Sequence, residues 1–396
     1  MALIEVKSVV KNYGDFTALR GINLSVEEGE FLCLLGPSGC GKTTLMRSIA
    51  GLESIEGGSI SVGGNLYSQP GFMLPPERRK LGMVFQSYAL WPHMTVYKNI
   101  AYTLKTNGWP KEKIPERIAE VLHLVGLHGL DQRYAAQLSG GQMQRVALAR
   151  SIAPEPRVLL FDEPLSNLDS KLREKMRFEL RQIQQSVGIT AIYVTHDQSE
   201  AMVVADRIAL LNEGEVQQMG SATDLYEEPS SPFAADFMGV TNFVDADVVS
   251  ASGTSATFRW AGGVEVGGML VDRLVNASRV ITAVRPEHVI VRRERPAQRP
   301  DVTQVPGTID EVVYLGHLSE VYVRVGNTRL RSQMVPEQTE GWSPGTPVVV
   351  CIERRRLRAV DDLAEGVSPD LVRPGSGQID RDGALLASAE AVAVDE

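Results

Sequence analysis

Cysteine is scarce: the 396-residue chain carries three, Cys33, Cys40 and Cys351, and none stands in a CxxC or CxH pairing. That excludes a disulfide framework and a cysteine-based metal site, and it fits a reducing compartment. Long apolar runs are missing too. The longest, such as VLLF and VVVCI, fall far short of the roughly 18 residues that a membrane-spanning helix needs. A role at a membrane therefore requires other chains to span it. Positive charge is not in excess, since 40 Lys and Arg face 49 Asp and Glu for a net charge of −9. Neither a nucleic-acid backbone nor an anionic lipid surface attracts such a chain as a whole. The N-terminal MALIEVKSVVKNYG has no basic segment ahead of an apolar run, so it reads as a strand and not as a signal peptide. An internal repeat of roughly 20 to 50 residues is likewise missing.

What is there is globular in composition, with 43% hydrophobic and 22% charged residues. The length exceeds one ordinary core and predicts two domains and a tail. Up to about residue 235, short apolar strands alternate with helical periodicity. EFLCLLG, LGMVFQ, RVLLFDEP and TAIYVTHD are strand candidates with polar ends, and EKIPERIAEVLHLVGL and SKLREKMRFELRQIQQSVG are helix candidates. Such alternation predicts a mostly parallel sheet that binds ligands at the C-terminal ends of its strands. Beyond EEPSSPFAADFMG the period changes to two, with Gly, Pro and Asn turns, predicting a small all-β barrel. The predicted domains are residues 1–238, with a helical subdomain at about 87–155, then 239–360, and an acidic disordered tail over 361–396.

Gly36, Pro37, Ser38, Gly39, Cys40, Gly41, Lys42 and Thr43 match G-x-x-x-x-G-K-[ST] without a gap, between a strand and a helix. Glycines let backbone N–H groups wrap phosphates, Lys42 supplies charge to the outer two, and Thr43 offers a hydroxyl to Mg²⁺. The binding stretch extends to Thr44. Asp162 at the end of VLLF is placed to hold the Mg²⁺ shell, and Glu163 follows where a carboxylate polarises an attacking water. Gln86 and His196 close two further strands; an amide reaches Mg²⁺ or the water, and an imidazole contacts the terminal phosphate. LSGGQMQRVALAR, Leu138 to Arg150, adds a second glycine-tipped helix start, another anion site by its backbone alone.

Taken together, these residues resemble the ATP-binding cassette (ABC) transporter ATPases over about residues 3–235. Walker A, the Q-loop Gln86, the signature Leu138–Gln142, Walker B with Asp162 and Glu163, the D-loop Ser166–Asp169 and the switch His196 follow in family order. The resemblance implies an α/β P-loop NTPase cassette, with mixed sheet, antiparallel β and helical subdomains, binding ATP and Mg²⁺. It implies Glu163 as general base and Tyr13 stacked on adenine, although an aromatic before a glycine turn is equally a core residue. It further implies head-to-tail dimers, with itself or a related ATPase. In these, Ser139, Gly140, Gly141 and Gln142 of one copy meet the ATP held by the other, and Asp169 of the D-loop is implied among the cofactor-binding residues.

AVRPEHV (283–289) and EVVYLG (311–316) resemble the TOBE domain, an OB-like all-β barrel appended to importer ATPases for sugars, polyamines, ferric iron, sulfate and phosphonates. An importer subunit is implied, peripheral at the cytoplasmic face of the membrane. It would work with two membrane permease subunits and, indirectly, a solute-binding protein, with no nucleic acid. Ser87–Asn99 resembles the surface that receives the permeases, and its texture leans the cargo to ferric iron, polyamine or phosphonate before sugar. An exporter ATPase and a soluble ATPase of translation or repair are the alternatives. Against them stand the lack of fused membrane segments, of a second Walker A and of a heptad tract.

Overall fold

The computed structural model describes residues 2–362. The expected tail lies outside them, except that Asp361 and Asp362 end a strand paired with Val280 and Ile281. Two compact units divide the chain, Met1–Leu225 and Tyr226 onward.

The first unit runs β1 (Ala2–Tyr13), β2 (Phe16–Glu27), β3 (Phe31–Leu35), α1 (Lys42–Ala50), β4 (Gly57–Val62), β5 (Asn65–Gln69), β6 (Phe72–Met73) and β7 (Leu81–Val84). It continues with α2 (Val96–Thr106), α3 (Ile114–Leu124), α4 (Gly140–Ile152), β8 (Val158–Asp162), α5 (Ser170–Val187), β9 (Thr190–Thr195), α6 (Gln198–Val204), β10 (Arg207–Asn212) and β11 (Glu215–Gly220). One sheet, in the order β2-β1-β4-β5-β6, is antiparallel. The other, β11-β10-β3-β9-β8-β7, is parallel except for β11. Strands of the parallel sheet are apolar on both faces: every residue of FLCLL, VLLFD and TAIYVT is buried. α1 lies in the core, its Leu45, Met46 and Ile49 packed with Ile4 and Ile22 of one sheet and Leu160 and Ile192 of the other. Helices α2, α3 and α4 pack on one another as a helical layer.

Register positions the site. Leu35 pairs with Thr195 and Asp162 with Val194, so the residues just beyond, Gly36, His196 and Glu163, leave the sheet side by side. α5 begins with Asp169 as its N-cap, buries Met176, Leu180 and Gln184 at four-residue spacing and stops at Gly188.

α7 (Ala222–Glu227) spans the division, and the second unit contains α8 (Pro232–Phe237), β12 (Asn242–Ser252), β13 (Ser255–Trp260), β14 (Val264–Met269), β15 (Arg279–Val284) and β16 (Ile290–Arg292). β17 (Val302–Tyr314), β18 (Ser319–Val325), β19 (Thr328–Met334), β20 (Pro347–Glu353) and β21 (Arg358–Asp362) complete it. Where one barrel was expected there are two sheets: a closed barrel β12-β13-β14-β21-β15 and an open sheet β16-β20-β17-β18-β19. They share one core, with Phe258, Trp260 and Leu357 beside Ile309, Val323 and Val350. The buried Trp260 donates its Nε1–H to Thr282 Oγ1 at 3.1 Å, and Thr282 donates to Val244 O at 2.7 Å. The Pro/Ser-marked stretch 227–239 falls in this unit and not the first. Arg285 is the reason: its buried guanidinium donates to the carbonyls of Tyr226, Ala235 and Gly239 at 3.1, 2.6 and 2.7 Å.

Candidate functional site

The loop Gly36–Gly41 is pressed between two backbones. A Cβ on Gly36 (φ 153°) would stand 2.2 Å from the carbonyl oxygen of Leu211, and one on Gly41 (φ 103°) 2.7 Å from that of Ala18. Only glycine fits either place. With Gly41 as N-cap, α1 starts without any side-chain acceptor, so its first-turn N–H groups face outward uncapped. Lys42 is buried, and its ammonium donates to the carbonyls of Gly36 and Pro37, both at 2.7 Å. No carboxylate pairs with it among the described residues. The loop therefore concentrates N–H donors and one uncompensated positive charge, a cradle for a polyphosphate.

The other end of α1 is fixed by Arg79, fully buried, which donates to the carbonyls of Ser48, Ile49, Leu74 and Tyr67 and to Ser68 Oγ. Burial pushes its guanidinium down to about 10. Sequence reading missed this residue.

Asp162 ends β8, buried, and burial raises its carboxyl above the usual range while the Arg47 charge and the Thr43 hydroxyl draw it down. The Thr43 hydroxyl thus lies beside this carboxylate. Their donor set is hydroxyl and carboxylate oxygen, which suits a hard divalent cation that takes its remaining ligands from water and phosphate. Among the described residues no group of three or more His, Cys, Asp or Glu is arranged to hold a metal by protein ligands alone.

Glu163 sits at φ 44°, a left-handed conformation that costs a non-glycine residue of order 1 kcal/mol or more. It is held there by hydrogen bonds from its N–H to Val194 O at 3.1 Å and from Ser166 N and Oγ to its own carbonyl at 3.3 and 2.9 Å. The consequence is an aimed carboxylate: Glu163 Oε2 lies 3.4 Å from Nδ1 of His196, whose ring is half exposed at the end of β9. Gln86 is drawn to the same corner by its backbone, its carbonyl accepting from Asn167 Nδ2 at 2.8 Å, with its side chain exposed. Just beyond, Tyr88 and Ala89 both have positive φ. Arg150, buried near the end of α4, donates to their two carbonyls at 2.9 and 2.6 Å and stacks on Trp91. Tyr88 is core and Trp91 is half-buried against Tyr102.

Ser139 N-caps α4 in a capping box, accepting from Gln142 N at 3.4 Å while Gln142 Oε1 accepts from Ser139 N at 3.0 Å. Gly140 and Gly141 pack closely on Leu168 and Leu172, whose methyl carbons would each lie 3.3 Å from an added Cβ. Asp169 caps α5 through Leu172 N at 3.0 Å. Tyr13 is exposed at the β1–β2 hairpin tip, opposite Phe16, with Lys11 Nζ 5.1 Å from its ring centroid. The structure therefore gathers the loop 36–44, Gln86, Asp162, Glu163 and His196. Among the described residues no hydrogen bond or ion pair joins Ser139–Gln142 to that group.

Two family models match the chain: ABC transporter over residues 19–166 and TOBE domain over residues 282–360. The spermidine/putrescine import ATP-binding protein PotA of Roseobacter denitrificans is 44% identical over 356 residues, 88% of this chain and 95% of its own length. The Fe(3+) ions import ATP-binding protein FbpC of Rhizobium etli is 48% identical over 288 residues, 73% of this chain and 80% of its own. Among solved structures, cbiO1 of Clostridium perfringens, part of the ABC transporter complex cbiONQ, superposes with a TM-score of 0.52 at 29% identity. It covers 57% of this chain and 91% of its own.

Proposed function

The chain belongs to the ABC transporter family, as one of its ATP-binding subunits, and from that premise we propose that it hydrolyses ATP to power import of a polyamine or of ferric iron. The observation that carries the chemistry is the aimed pair, Glu163 Oε2 at 3.4 Å from His196 Nδ1, beside a loop built for phosphates. Gly36–Thr44 binds the triphosphate by backbone N–H groups, and Lys42 exchanges its carbonyl partners for phosphate oxygens. Thr43, Asp162 and Gln86 are the residues that would hold Mg²⁺. Mg²⁺, when bound, neutralises charge on the outer phosphates. Glu163 takes the proton of the attacking water, and His196 orients that carboxylate and contacts the terminal phosphate.

Ser139–Gln142 and Asp169 complete the same site of a second copy in a head-to-tail dimer. Tyr13, exposed with one face backed by Lys11, takes the adenine. Its likeness to import ATP-binding proteins supports docking on permease subunits at the cytoplasmic face, and no helix among the described residues is long and apolar enough to cross a membrane. The receiving surface is the groove of ≈ 610 Å³ lined by Phe85, Ala89, Trp91, Trp109 and Arg150, beside the segment that carries Gln86.

The test is Glu163→Gln. It should still bind ATP, lose hydrolysis by about 100-fold or more, and accumulate as an ATP-dependent dimer in size-exclusion chromatography. Hydrolysis at the wild-type rate would remove Glu163 from the general-base role.

A further inference from the structure

Arg173 stands one turn into α5, four residues after Asp169, and it touches two loops at once. On one side its Nη2 donates to the carbonyls of Leu168 at 3.1 Å and Ser166 at 3.5 Å. On the other its Nη1 lies 3.6 Å from Asp197 Oδ2, and its Nε lies 3.8 Å from Glu200 Oε1. Neither side is an idle surface contact. Ser166 is the residue whose N–H and hydroxyl hold the carbonyl of Glu163. Glu200, almost fully buried, accepts from Tyr193 Oη and Thr195 Oγ1, both at 2.8 Å, and Asp197 N donates to Thr195 Oγ1 at 2.9 Å. Thr195 and Asp197 flank His196.

The contacts close a ring: Glu163, Ser166, Arg173, Glu200, Thr195, His196 and back to Glu163 across 3.4 Å. A planar guanidinium holds its N–H donors in a fixed fork, and here Nη2 serves the two carbonyls while Nη1 and Nε face the two carboxylates. Burial of Glu200 adds urgency, because a carboxylate this deep is stabilised only by its two hydroxyl donors and the nearby cation. We propose that Arg173 is a positioning residue for hydrolysis, setting the distance between Glu163 and His196 by tying the Ser166–Asp169 loop to the Thr195–Asp197 turn. Displacement of the first loop is thereby passed to the imidazole. The inference rests on Glu163 and His196 being the hydrolytic pair.

The test uses the full-length chain and three substitutions, Arg173→Ala, Arg173→Gln and Arg173→Lys, alone and with His196→Ala. The expected result for Arg173→Ala is a loss in kcat of about 10-fold or more through misplacement of the pair, with KM for ATP within about twofold of wild type. Lysine, a point charge, should restore only part of it, and glutamine, which keeps an N–H donor for the loop carbonyls but no charge, still less. In the His196→Ala background the further loss should vanish, because the residue whose place is being set is gone. A merely structural role would instead multiply with it. Hydrogen exchange, independent of turnover, should rise together in peptides covering 163–169 and 195–200. A kcat within about twofold of wild type, multiplicative losses, or exchange rising in one of the two segments alone would each overturn the proposal. Failure of the Glu163 assignment shows separately, as wild-type turnover by Glu163→Gln.

Discussion

Two helices of the first unit begin on glycine-rich turns, α1 after Gly36–Gly41 and α4 after Ser139, and they dispose of their free N–H groups in opposite ways. α1 has no side-chain cap, while its far end is clamped by Arg79. α4 is closed on itself by the reciprocal Ser139–Gln142 box. The glycines differ as well. Gly36 and Gly41 are demanded by backbone oxygens within 3 Å of a would-be Cβ, whereas Gly140 and Gly141 face only the methyl tips of Leu168 and Leu172. One helix start is a finished receptor for an anion. The other is a finished helix end, its glycines packed on the ends of leucine side chains.

The sharpest way to break this contrast is Gly36→Ala. A methyl 2.2 Å from the Leu211 carbonyl cannot be accommodated by a rotamer change, so the loop or β10 must move. Left-handed strain and overpacking together should cost at least about 3 kcal/mol in urea unfolding. ATP binding should go with it in a fluorescent-nucleotide titration. A variant that keeps both stability and nucleotide affinity would show that the loop is not a rigid cradle.

Ser139→Ala should act more mildly. Its cap bond is long, 3.4 Å, and the residue is exposed, so the loss should sit near the low end for caps, about 0.5–1 kcal/mol. ATP binding by the monomer should be unchanged, since that cap touches nothing in Gly36–Thr44. Weakened binding in the monomer would mean that the two helix starts share one ligand within a single chain.

What the sequence made legible and what it hid divide along a physical line. The loop 36–44, Asp162, Glu163, Gln86 and His196 could be read because each motif is contiguous and ends an apolar strand, and parallel pairing brings strand ends together without further information. The clamps could not. Arg79, Arg150 and Arg173 donate to backbone carbonyls of residues five to sixty-two positions away, and a carbonyl carries no residue identity for a pattern to display. The division of the β unit into a barrel and an open sheet was hidden for a related reason. Both have period two, and the closing partner of β15 is β21, at the far end of the unit. Asp169 and Gln142 lay between these cases: both motif positions were visible, but not that their side chains cap helices in this chain.

The smallest expected effect is the most discriminating. In Gly140→Ala the added methyl meets Leu168 Cδ2 at 3.3 Å, the movable end of a side chain, and the backbone there is ordinary helix. The helix propensity gained by alanine and the slight crowding should nearly cancel, leaving stability within about 0.5 kcal/mol of wild type. If ATPase activity nonetheless collapses while the monomer still binds nucleotide, the glycine is required by a ligand brought by the second copy, and the asymmetry between the two helix starts is functional. If stability instead falls by more than about 1 kcal/mol, packing on Leu168 demands the glycine. Both turns would then be glycine-rich for the same reason, close approach of their own chain, and only the missing cap at α1 would set them apart.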